Sequence, residues 1–484
     1  MAPIHSLPPS LGLYREQWIM LAGLAGVLGI LGLFQVVPHL GKFGLRSRQK
    51  GRSGGVFIGS EWIPDDARLR HTHIVGATGA GKTVLLEQLI FGDLERGHGA
   101  LIIDPKGDRT LFERIRSFCQ SIGREHDLHL LSATYSDESG GWNPCRIGNA
   151  SELQSKFFNS SVYSEPHYAK ACELALLKAF NQLGNHSSIT IRDVVGVLDD
   201  LSRNGKDDTM AGLFLDLSNL VQGVWGPILS CRDTNAAREI SLLNITRKNE
   251  ILFVDLPTEA QAVQSARIGR LLLQEIILIS GMRKLYPHLR SGRPFSVFVD
   301  EFDAFAFPGF STFLNKGRSS DFMIHLAHQT LSDLDQIGPA FRGQIMGNMN
   351  VRFIFRQDEP DDAEAWARFF GTRKVIKRTF QTMNGTETGM SSNRVSQEFR
   401  ISPDAIKELQ TGQCIFSMKT GNRFKKMKIP WTSAAAKSNL RFPVQRNQPS
   451  GLRTCRDIPP KDFSADCDRL AALFETPPNS KEQK

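Results

Sequence analysis

Cysteine is scarce in this 484-residue chain, which has seven cysteines, no two of them closer than 12 positions. This spacing excludes a CxxC redox motif, a zinc ribbon and a disulfide scaffold. Scattered thiols in an odd number are typical of proteins in a reducing compartment, where most are buried in the core. Hydrophobic residues at 40 % and charged residues at 23 % exclude a disordered chain.

Long apolar stretches are also rare, and one run of 20 uncharged residues, 18–37, stands out near the N-terminus. A helix of this length spans about 30 Å, the thickness of the hydrocarbon core of a membrane. A cleaved signal peptide fits less well, because Glu16 offsets Arg15 and no small-residue cleavage site follows the run. We therefore expect one transmembrane helix at 18–40, preceded by a short non-cytoplasmic N-terminus at 1–17.

Acidic residues are nearly absent from the first 60 positions, which hold six basic residues and one acid. These positions carry +5 of the total net charge of +9, so the basic excess is local. Such a distribution argues against a protein that coats DNA uniformly. Most of the basic residues lie in the linker 41–54. The positive-inside bias then places the rest of the chain in the cytoplasm, and the linker is expected to contact anionic membrane lipids.

A glycine-rich motif follows a short apolar strand and precedes an apolar-rich helix. It reads GATGAGKT and matches the P-loop pattern G-x-x-x-x-G-K-[ST]. Its backbone N–H groups and the helix N-terminus are expected to bind the phosphates of ATP. Lys82 is predicted to reach the β- and γ-phosphates, and the Thr83 hydroxyl to bind Mg²⁺. The predicted phosphate-binding residues are Gly76, Ala77, Thr78, Gly79, Ala80, Gly81, Lys82 and Thr83.

Polar side chains end two further apolar strands. Residues 295–301 read FSVFVDE, so Asp300 and Glu301 lie where a parallel sheet binds its ligands. A pair that merely caps the next helix is the alternative, but the P-loop favours catalytic roles. Asp300 is expected to bind Mg²⁺ and Glu301 to polarise the attacking water, which favours a hydrolase. Gln329 ends the strand 323–329 and is predicted to sense the γ-phosphate.

Buried strands at 99–104, 251–255 and 351–355 complete the pattern. Strands that alternate with helical stretches indicate an α/β fold, with a mostly parallel sheet covered on both faces. Helical periodicity without such strands predicts an all-α domain inserted at 149–249.

The remaining boundaries follow from this insertion and from the C-terminal region. The nucleotide-binding domain would comprise 55–148 and 250–432, with a polar loop around 381–396. The last segment, 433–484, lacks periodicity and is predicted to be a flexible tail.

Seven motifs in one order give the chain a resemblance to a known family. They are GATGAGKT, LIIDPKGD, WNPCRI, LFVDLP, VFVDEFDAF, HLAHQTLSDL and ISPDAIKELQTGQCIF. Their order resembles that of the type IV secretion coupling proteins, the TraD/TraG-type motor ATPases of bacterial conjugation, over residues 55–431. The P-loop alone is unspecific, whereas its combination with the other motifs and a membrane anchor is fairly specific.

The resemblance implies a RecA-like nucleotide-binding domain, a bacterial inner-membrane location and a hexameric ring with ATP at subunit interfaces. It implies that the protein delivers single-stranded DNA with a bound relaxase to the components of a secretion channel. A ring also needs an arginine finger, for which Arg318 and Arg356 are candidates. The chain departs from the family in one respect, because typical members have two membrane helices and one is predicted here.

Other functions remain open. A membrane receptor for secreted effectors or relaxase could use ATP for assembly only, and retained transport after loss of Glu301 would favour it. A chromosome-segregation pump of the FtsK/HerA type is disfavoured, because neither a multi-span N-terminus nor a terminal winged-helix DNA reader is visible. A secretion assembly ATPase is less favoured still, because its long N-terminal region would place the P-loop well beyond residue 76.

Overall fold

A computed structural model describes residues 54–430, apart from 164, 185–188, 206–207, 232–238, 339 and 384–385. The predicted N-terminus and transmembrane helix, nearly all of the basic linker and the predicted tail lie outside the described residues. Among the residues that are described, no helix is long and apolar enough to cross a membrane.

Fifteen strands are found in the described part of the chain. They are β1 (Gly55–Ile58), β2 (Glu61–Pro64), β3 (Thr72–Val75), β4 (Gly99–Asp104), β5 (Leu128–Ser132), β6 (Gly141–Trp142), β7 (Glu239–Ile240), β8 (Ile251–Asp255), β9 (Phe295–Val299), β10 (Phe322–His328), β11 (Val351–Ile354), β12 (Thr372–Met383), β13 (Thr386–Phe399), β14 (Gln413–Met418) and β15 (Arg423–Lys428).

The described residues also form fifteen α-helices. They are α1 (Asp65–Arg68), α2 (Lys82–Glu95), α3 (Thr110–Ser121), α4 (Ala150–Asn159), α5 (Pro166–Leu183), α6 (Ile191–Gly205), α7 (Ala211–Gln222), α8 (Gly226–Leu229), α9 (Leu242–Lys248), α10 (Thr258–Leu285), α11 (Phe310–Gly317), α12 (Ser332–Asp335), α13 (Phe341–Asn348), α14 (Pro360–Phe370) and α15 (Pro403–Lys407).

Nine strands form the central sheet, in the order β15-β14-β11-β3-β10-β9-β4-β8-β5. Every neighbouring pair from β11 to β5 is parallel, whereas β14 and β15 add an antiparallel edge. The predicted α/β fold with a mostly parallel sheet is therefore confirmed. The parallel register brings the carboxyl ends of β3, β10, β9 and β4 to one edge of the sheet, which is where such sheets bind ligands.

Alternate side chains of the central strands face two separate apolar cores. On β4, Leu101 and Ile103 pack with the helices on one face, whereas Ala100 and Ile102 pack against α2 and α3 on the other. Strands buried on both faces need apolar residues at nearly every position. This requirement explains why uninterrupted apolar runs predicted β4 and β8 with their observed bounds.

Helices α4 to α9 lie between the sheet strands β5 and β8, as the periodicity predicted. The predicted all-α segment also contains the short strand β7, which pairs with β6, so it is not purely helical. Thr190 closes the N-terminus of α6, because its backbone N–H and hydroxyl both donate to the Asp193 carboxylate, at 2.8 Å each. The helices share one apolar core with a face of the sheet, in which Phe180 and Trp225 pack in the same cluster as Leu252. The domain boundary 149–249 stays a prediction.

The polar stretch 381–396 is not a loop along its length, so that prediction was wrong. The structure pairs β12 with β13 as a long antiparallel ribbon. The stretch is rich in threonine and serine, and Asn384-Gly385 is a dipeptide typical of two-residue hairpin turns. A polar sequence lacks the apolar alternation on which the prediction of a strand depends.

Candidate functional site

The glycine-rich loop joins the carboxyl end of β3 to the N-terminus of α2. Gly76 lies against the chain that leaves β11, because a Cβ atom there would come within 2.5 Å of the Phe355 Cβ. Gly81 has a φ of 118°, a left-handed conformation in which an L side chain would be strained. The Ala77 N–H donates to the Arg356 carbonyl at 2.9 Å and holds the loop against the segment after β11.

Lys82, the first residue of α2, curls back over this loop. Its ammonium donates to the Gly76 carbonyl at 2.6 Å and to the Ala77 carbonyl at 3.3 Å. Burial lowers the pKa of Lys82, whereas the carboxylates of Asp300 and Glu301 oppose that shift. The side chain therefore lies where it can exchange backbone carbonyls for phosphate oxygens.

Two carboxylates follow the end of β9 and face Lys82. The Asp300 N–H donates to the Ile103 carbonyl of β4 at 3.2 Å, which fixes the chain at the sheet edge. Glu301 has a left-handed backbone, with φ 45° and ψ 54°. Such a conformation is uncommon for a residue with a side chain and is typical of functional sites. It also explains why β9 ends at Val299, before the predicted limit of the strand.

The environment of Glu301 suits a proton acceptor. Burial raises the pKa of the Glu301 carboxyl, and the neighbouring Asp300 charge raises it further. Lys106 and Lys82 oppose this shift but do not cancel it. A carboxylate with a raised pKa is a better base than an exposed glutamate, provided that it stays ionised at the working pH.

Lys106 is a site residue that sequence reasoning missed. Its ammonium donates to the Thr83 hydroxyl at 2.8 Å and lies 3.3 Å from the Asp300 carboxylate. A cation therefore already lies between the two groups predicted to bind Mg²⁺. The D-P-K-G-D turn after β4 was noticed in the sequence, but the spacing alone could not show that its lysine turns toward β9.

Gln329 lies at the same edge and contacts the loop. Its side-chain oxygen accepts a hydrogen bond from the Thr78 hydroxyl at 2.9 Å. Two buried histidines, one on each neighbouring strand, support this arrangement, because the Nε2 atoms of His73 and His328 are 2.6 Å apart. His328 Nδ1 lies 2.7 Å from the Thr330 carbonyl and must carry the proton there. Its Nε2 then accepts from His73, which ties β3 to β10.

Burial keeps both rings of this pair neutral. It lowers the pKa of His328 to about 4 and that of His73 well below the ordinary range. A neutral pair can share one hydrogen bond at this distance, whereas two charged rings would repel each other. The strands that carry the loop and Gln329 are therefore held together without a net charge.

A cavity of about 420 Å³ brings these groups together. It is lined by the predicted residues Thr78, Gly79, Gly81, Lys82, Thr83, Asp300, Glu301 and Gln329. Its far wall comes from distant residues for which the sequence predicted no role in the site, namely Thr411, Gly412, Lys428 and Ile429. The Gly412 N–H donates to the Ala80 carbonyl at 2.8 Å, which attaches this wall to the loop.

The two candidate arginine fingers do not enter this cavity. Arg318 lies 3.3 Å from Asp66, and Arg356 lies 2.9 Å from Asp358. Both side chains are partly exposed on their own surfaces. An arginine finger acts on the site of a neighbouring subunit, so their assignment stays a prediction.

Two sequence-family models match the segments that build this site. The model described as the type IV secretion-system coupling protein DNA-binding domain matches residues 57–121, which include the glycine-rich loop. The model described as the TraM recognition site of TraD and TraG matches residues 294–411, which include both carboxylates and Gln329. The predicted resemblance to the type IV coupling proteins is confirmed.

A curated relative agrees with this family over a short segment. The type 4 coupling protein DotL of Legionella pneumophila is 39 % identical over 71 residues. That match covers 15 % of this chain and 9 % of DotL. It therefore compares a small part of a much longer coupling protein.

Solved structures of the plasmid coupling protein TrwB show the same fold. The unbound form of its TrwBdeltaN70 version matches with a TM-score of 0.62 and 18 % identity, over 80 % of this chain and 91 % of that one. The complex with ADP and Mg²⁺ has a TM-score of 0.60 and 18 % identity, over 79 % and 90 %. VirB4 of Thermoanaerobacter pseudethanolicus follows at 0.53 and 13 %, over 80 % and 99 %. The RecA-like nucleotide-binding fold expected of a type IV coupling protein is confirmed.

Proposed function

We propose that this chain is a membrane-anchored ATPase that links relaxase-bound DNA, or protein cargo, to a type IV secretion channel. ATP hydrolysis drives the transfer. The observation that carries the proposal is the cavity in which Lys82, Thr83, Asp300 and Glu301 meet at the carboxyl edge of the sheet. The coupling-protein models and the solved TrwB structures with ADPNP or with ADP and Mg²⁺ support it.

The donor atoms of the site fit a Mg²⁺ ion. Thr83 offers a hydroxyl oxygen and Asp300 a carboxylate oxygen, the hard donors that Mg²⁺ prefers. The position of the Lys106 ammonium between them indicates that a cation is stabilised there. When bound, Mg²⁺ neutralises charge on the β- and γ-phosphates.

Three side chains then have separate roles in ATP hydrolysis. Lys82 exchanges its backbone carbonyl partners for the β- and γ-phosphates. Glu301 orients the attacking water and accepts its proton, for which the raised pKa of its carboxyl is suitable. Gln329, held beside the loop by Thr78, senses whether the γ-phosphate is present.

Membrane anchoring and subunit assembly complete this function. The membrane anchor at 18–40 places the ATPase on the cytoplasmic side of the bacterial inner membrane, where its basic linker contacts lipids. The chain forms a hexamer with ATP at its subunit interfaces. In support, no arginine lines the cavity among the described residues, so a neighbouring subunit would have to supply one.

Phosphate release by the full chain in lipid nanodiscs tests this function. We expect release to require Mg²⁺, to increase with single-stranded DNA and to be lost in Lys82→Ala, which removes the charge that binds phosphate. Release that never depends on Mg²⁺ would contradict the ATPase. Hydrolysis that only a cargo protein stimulates would favour protein delivery. Cargo transfer that persists without hydrolysis would favour the receptor that uses ATP for assembly only.

Lys106→Ala is expected to make nucleotide binding more dependent on Mg²⁺. Without Lys106 the Asp300 carboxylate repels phosphates unless Mg²⁺ is bound, since the ammonium no longer shields it. A partly exposed ion pair contributes about 1 kcal/mol, so the ratio of the ATP affinities with and without Mg²⁺ should rise about fivefold. Titration of a fluorescent ATP analogue in Mg²⁺ and in EDTA measures this ratio.

Lys170→Ala is the matched control for this titration, because Lys170 on α5 forms an exposed ion pair with Glu173 and does not line the cavity. It should leave the ratio unchanged. Equal weakening by Lys106→Ala in Mg²⁺ and in EDTA would instead identify Lys106 as a direct phosphate ligand.

A further inference from the structure

Strands β12 and β13 form a ribbon that is separate from the central sheet. They pair from Thr372 and Phe399 to Met383 and Thr386, and no third strand joins them among the described residues. Twelve strand residues extend about 40 Å. The base of the ribbon is closed by the Arg400 N–H, which donates to the Gly371 carbonyl at 2.9 Å. A two-stranded ribbon of this kind is marginally stable alone in water, so stability does not explain why it is so long.

The ribbon carries an unusual share of the charge. Residues 372–400 contain six basic and two acidic residues, a net charge of +4. Together with the +5 of the first 60 positions, this equals the total net charge of +9. The remaining positions sum to no net charge, although the residues 419–456 that follow the ribbon are also locally basic, with ten basic residues and no acid.

The register places these charges on both faces. We call residues 372–378 and 392–400 the ribbon stem. Arg373 lies opposite Glu398 and Lys377 opposite Arg394, so these residues share one face. On this face Lys377 pairs with Glu398 at 2.8 Å, the one acid among the described stem side chains.

The other face of the stem is amphipathic. Ile376 and Val395 lie directly opposite each other there and are 69 % and 63 % exposed. Lys374 and Arg378 flank this apolar pair along the strand and are exposed as well. Apolar side chains can contact the sugars and bases of a nucleic acid, and cations can bind its phosphates. This face of the stem offers both kinds of contact side by side.

We propose that the ribbon stem binds the phosphate backbone of a nucleic acid without reading its sequence. This inference rests on the proposed function, in which DNA is the cargo, and names the element that contacts it. A polyphosphate complements a ribbon with exposed cations on both faces. A second copy of the chain complements it less well, because the chain as a whole carries a net charge of +9. A two-stranded ribbon also has the dimensions that enter a DNA groove.

The test is a triple variant, Lys374→Gln, Arg378→Gln and Arg394→Gln, in the full chain. It leaves the Lys377–Glu398 ion pair and the base of the ribbon intact. Fluorescence anisotropy is measured with a 30-nucleotide single strand and with a duplex, from about 50 to 200 mM salt. Each lost phosphate contact lowers the salt slope by about 0.7 for a single strand and 0.9 for a duplex. The slope should therefore fall by about 2 to 3, and the affinity at 100 mM salt by at least about tenfold.

A matched variant replaces three exposed cations on helices: Lys170→Gln, Lys248→Gln and Arg368→Gln. It changes the net charge equally and should change the slope by less than 1. Binding of a fluorescent ATP analogue should be unaffected in both variants, which shows that they are folded.

Three outcomes would overturn the inference. An unchanged slope and affinity in the ribbon variant would exclude the stem as a DNA contact. Altered sedimentation with normal DNA binding would identify the stem as a subunit contact instead. If the unmodified chain binds neither DNA form, the DNA part of the proposed function fails with it. ATP hydrolysis, measured separately without DNA, would show whether the ATPase part survives.

Discussion

Glu301→Gln is expected to lower the rate of ATP hydrolysis by about 10²–10⁴-fold, while ATP still binds. Glutamine keeps the size of the side chain but cannot accept a proton, and general-base catalysis typically contributes this factor. Binding should change by less than about threefold, because Lys82 and the loop remain intact. Phosphate release and titration with a fluorescent ATP analogue measure the two effects.

The contrast with Lys82→Ala makes this result specific. Lys82→Ala should weaken binding itself, since it removes a charge from the phosphate site. Glu364→Gln, on the exposed face of α14, should leave binding and hydrolysis unchanged. Hydrolysis that persists in Glu301→Gln would show that another group activates the water.

Asp93→Asn is expected to reduce the free energy of unfolding by about 3–5 kcal/mol at pH 7, because it leaves buried guanidinium charge without its partner. Asp93 is fully buried near the end of α2 and forms two hydrogen bonds with Arg68, at 2.6 and 2.5 Å. It also accepts from Arg96 at 2.5 Å and from the Ser296 hydroxyl at 2.6 Å. Urea unfolding followed by tryptophan fluorescence measures the loss.

The stability that this network provides should also depend on pH. Burial alone would raise the pKa of Asp93, but Arg68 and Arg96 outweigh it and hold the pKa below the ordinary value. A carboxyl whose pKa is lowered by folding stabilises the protein fully above its unfolded pKa of about 3.9, and this contribution is lost as the pH falls below that. The stability difference between the native protein and Asp93→Asn should therefore shrink below about pH 4.

Glu173→Gln is the control for both measurements, because its ion pair with Lys170 is exposed and should contribute less than 1 kcal/mol. An Asp93→Asn variant as stable as the native protein would contradict the network. Asp65, Asp93 and His98 place ligand atoms within 4.8 Å of one another. Arg68 and Arg96 already neutralise both carboxylates, so we interpret the group as an ion-pair network.

The chemistry-bearing residues could be predicted because local rules determine them. Gly81 and Lys82 stand in a loop whose phosphate chemistry needs glycine and lysine at fixed spacing. Asp300 and Glu301 follow a buried strand, and all parallel strands end at the same edge, so the sequence predicted that they lie at the edge that carries the loop. The structure confirms this proximity in one cavity.

The ribbon could not be predicted from local sequence patterns, for a physical reason. The described side chains of the ribbon stem are mostly exposed on both faces, so its sequence shows no apolar period. Its two strands pair with each other rather than with the central sheet. The position of Lys106 likewise depends on which strand lies next to β4, and Gly412 reaches the loop from more than 300 positions away along the chain.

By itself the sequence determined the phosphate loop, the carboxylate pair, the apolar strands and the regions of basic charge, since each depends on neighbouring residues. Tertiary structure alone decided that Lys106 lies between Thr83 and Asp300 and that Gly412 closes the cavity. It also decided that the basic stretch around Arg378 is a paired ribbon. These are contacts between distant segments, and strand order and register determine them, which no local pattern encodes.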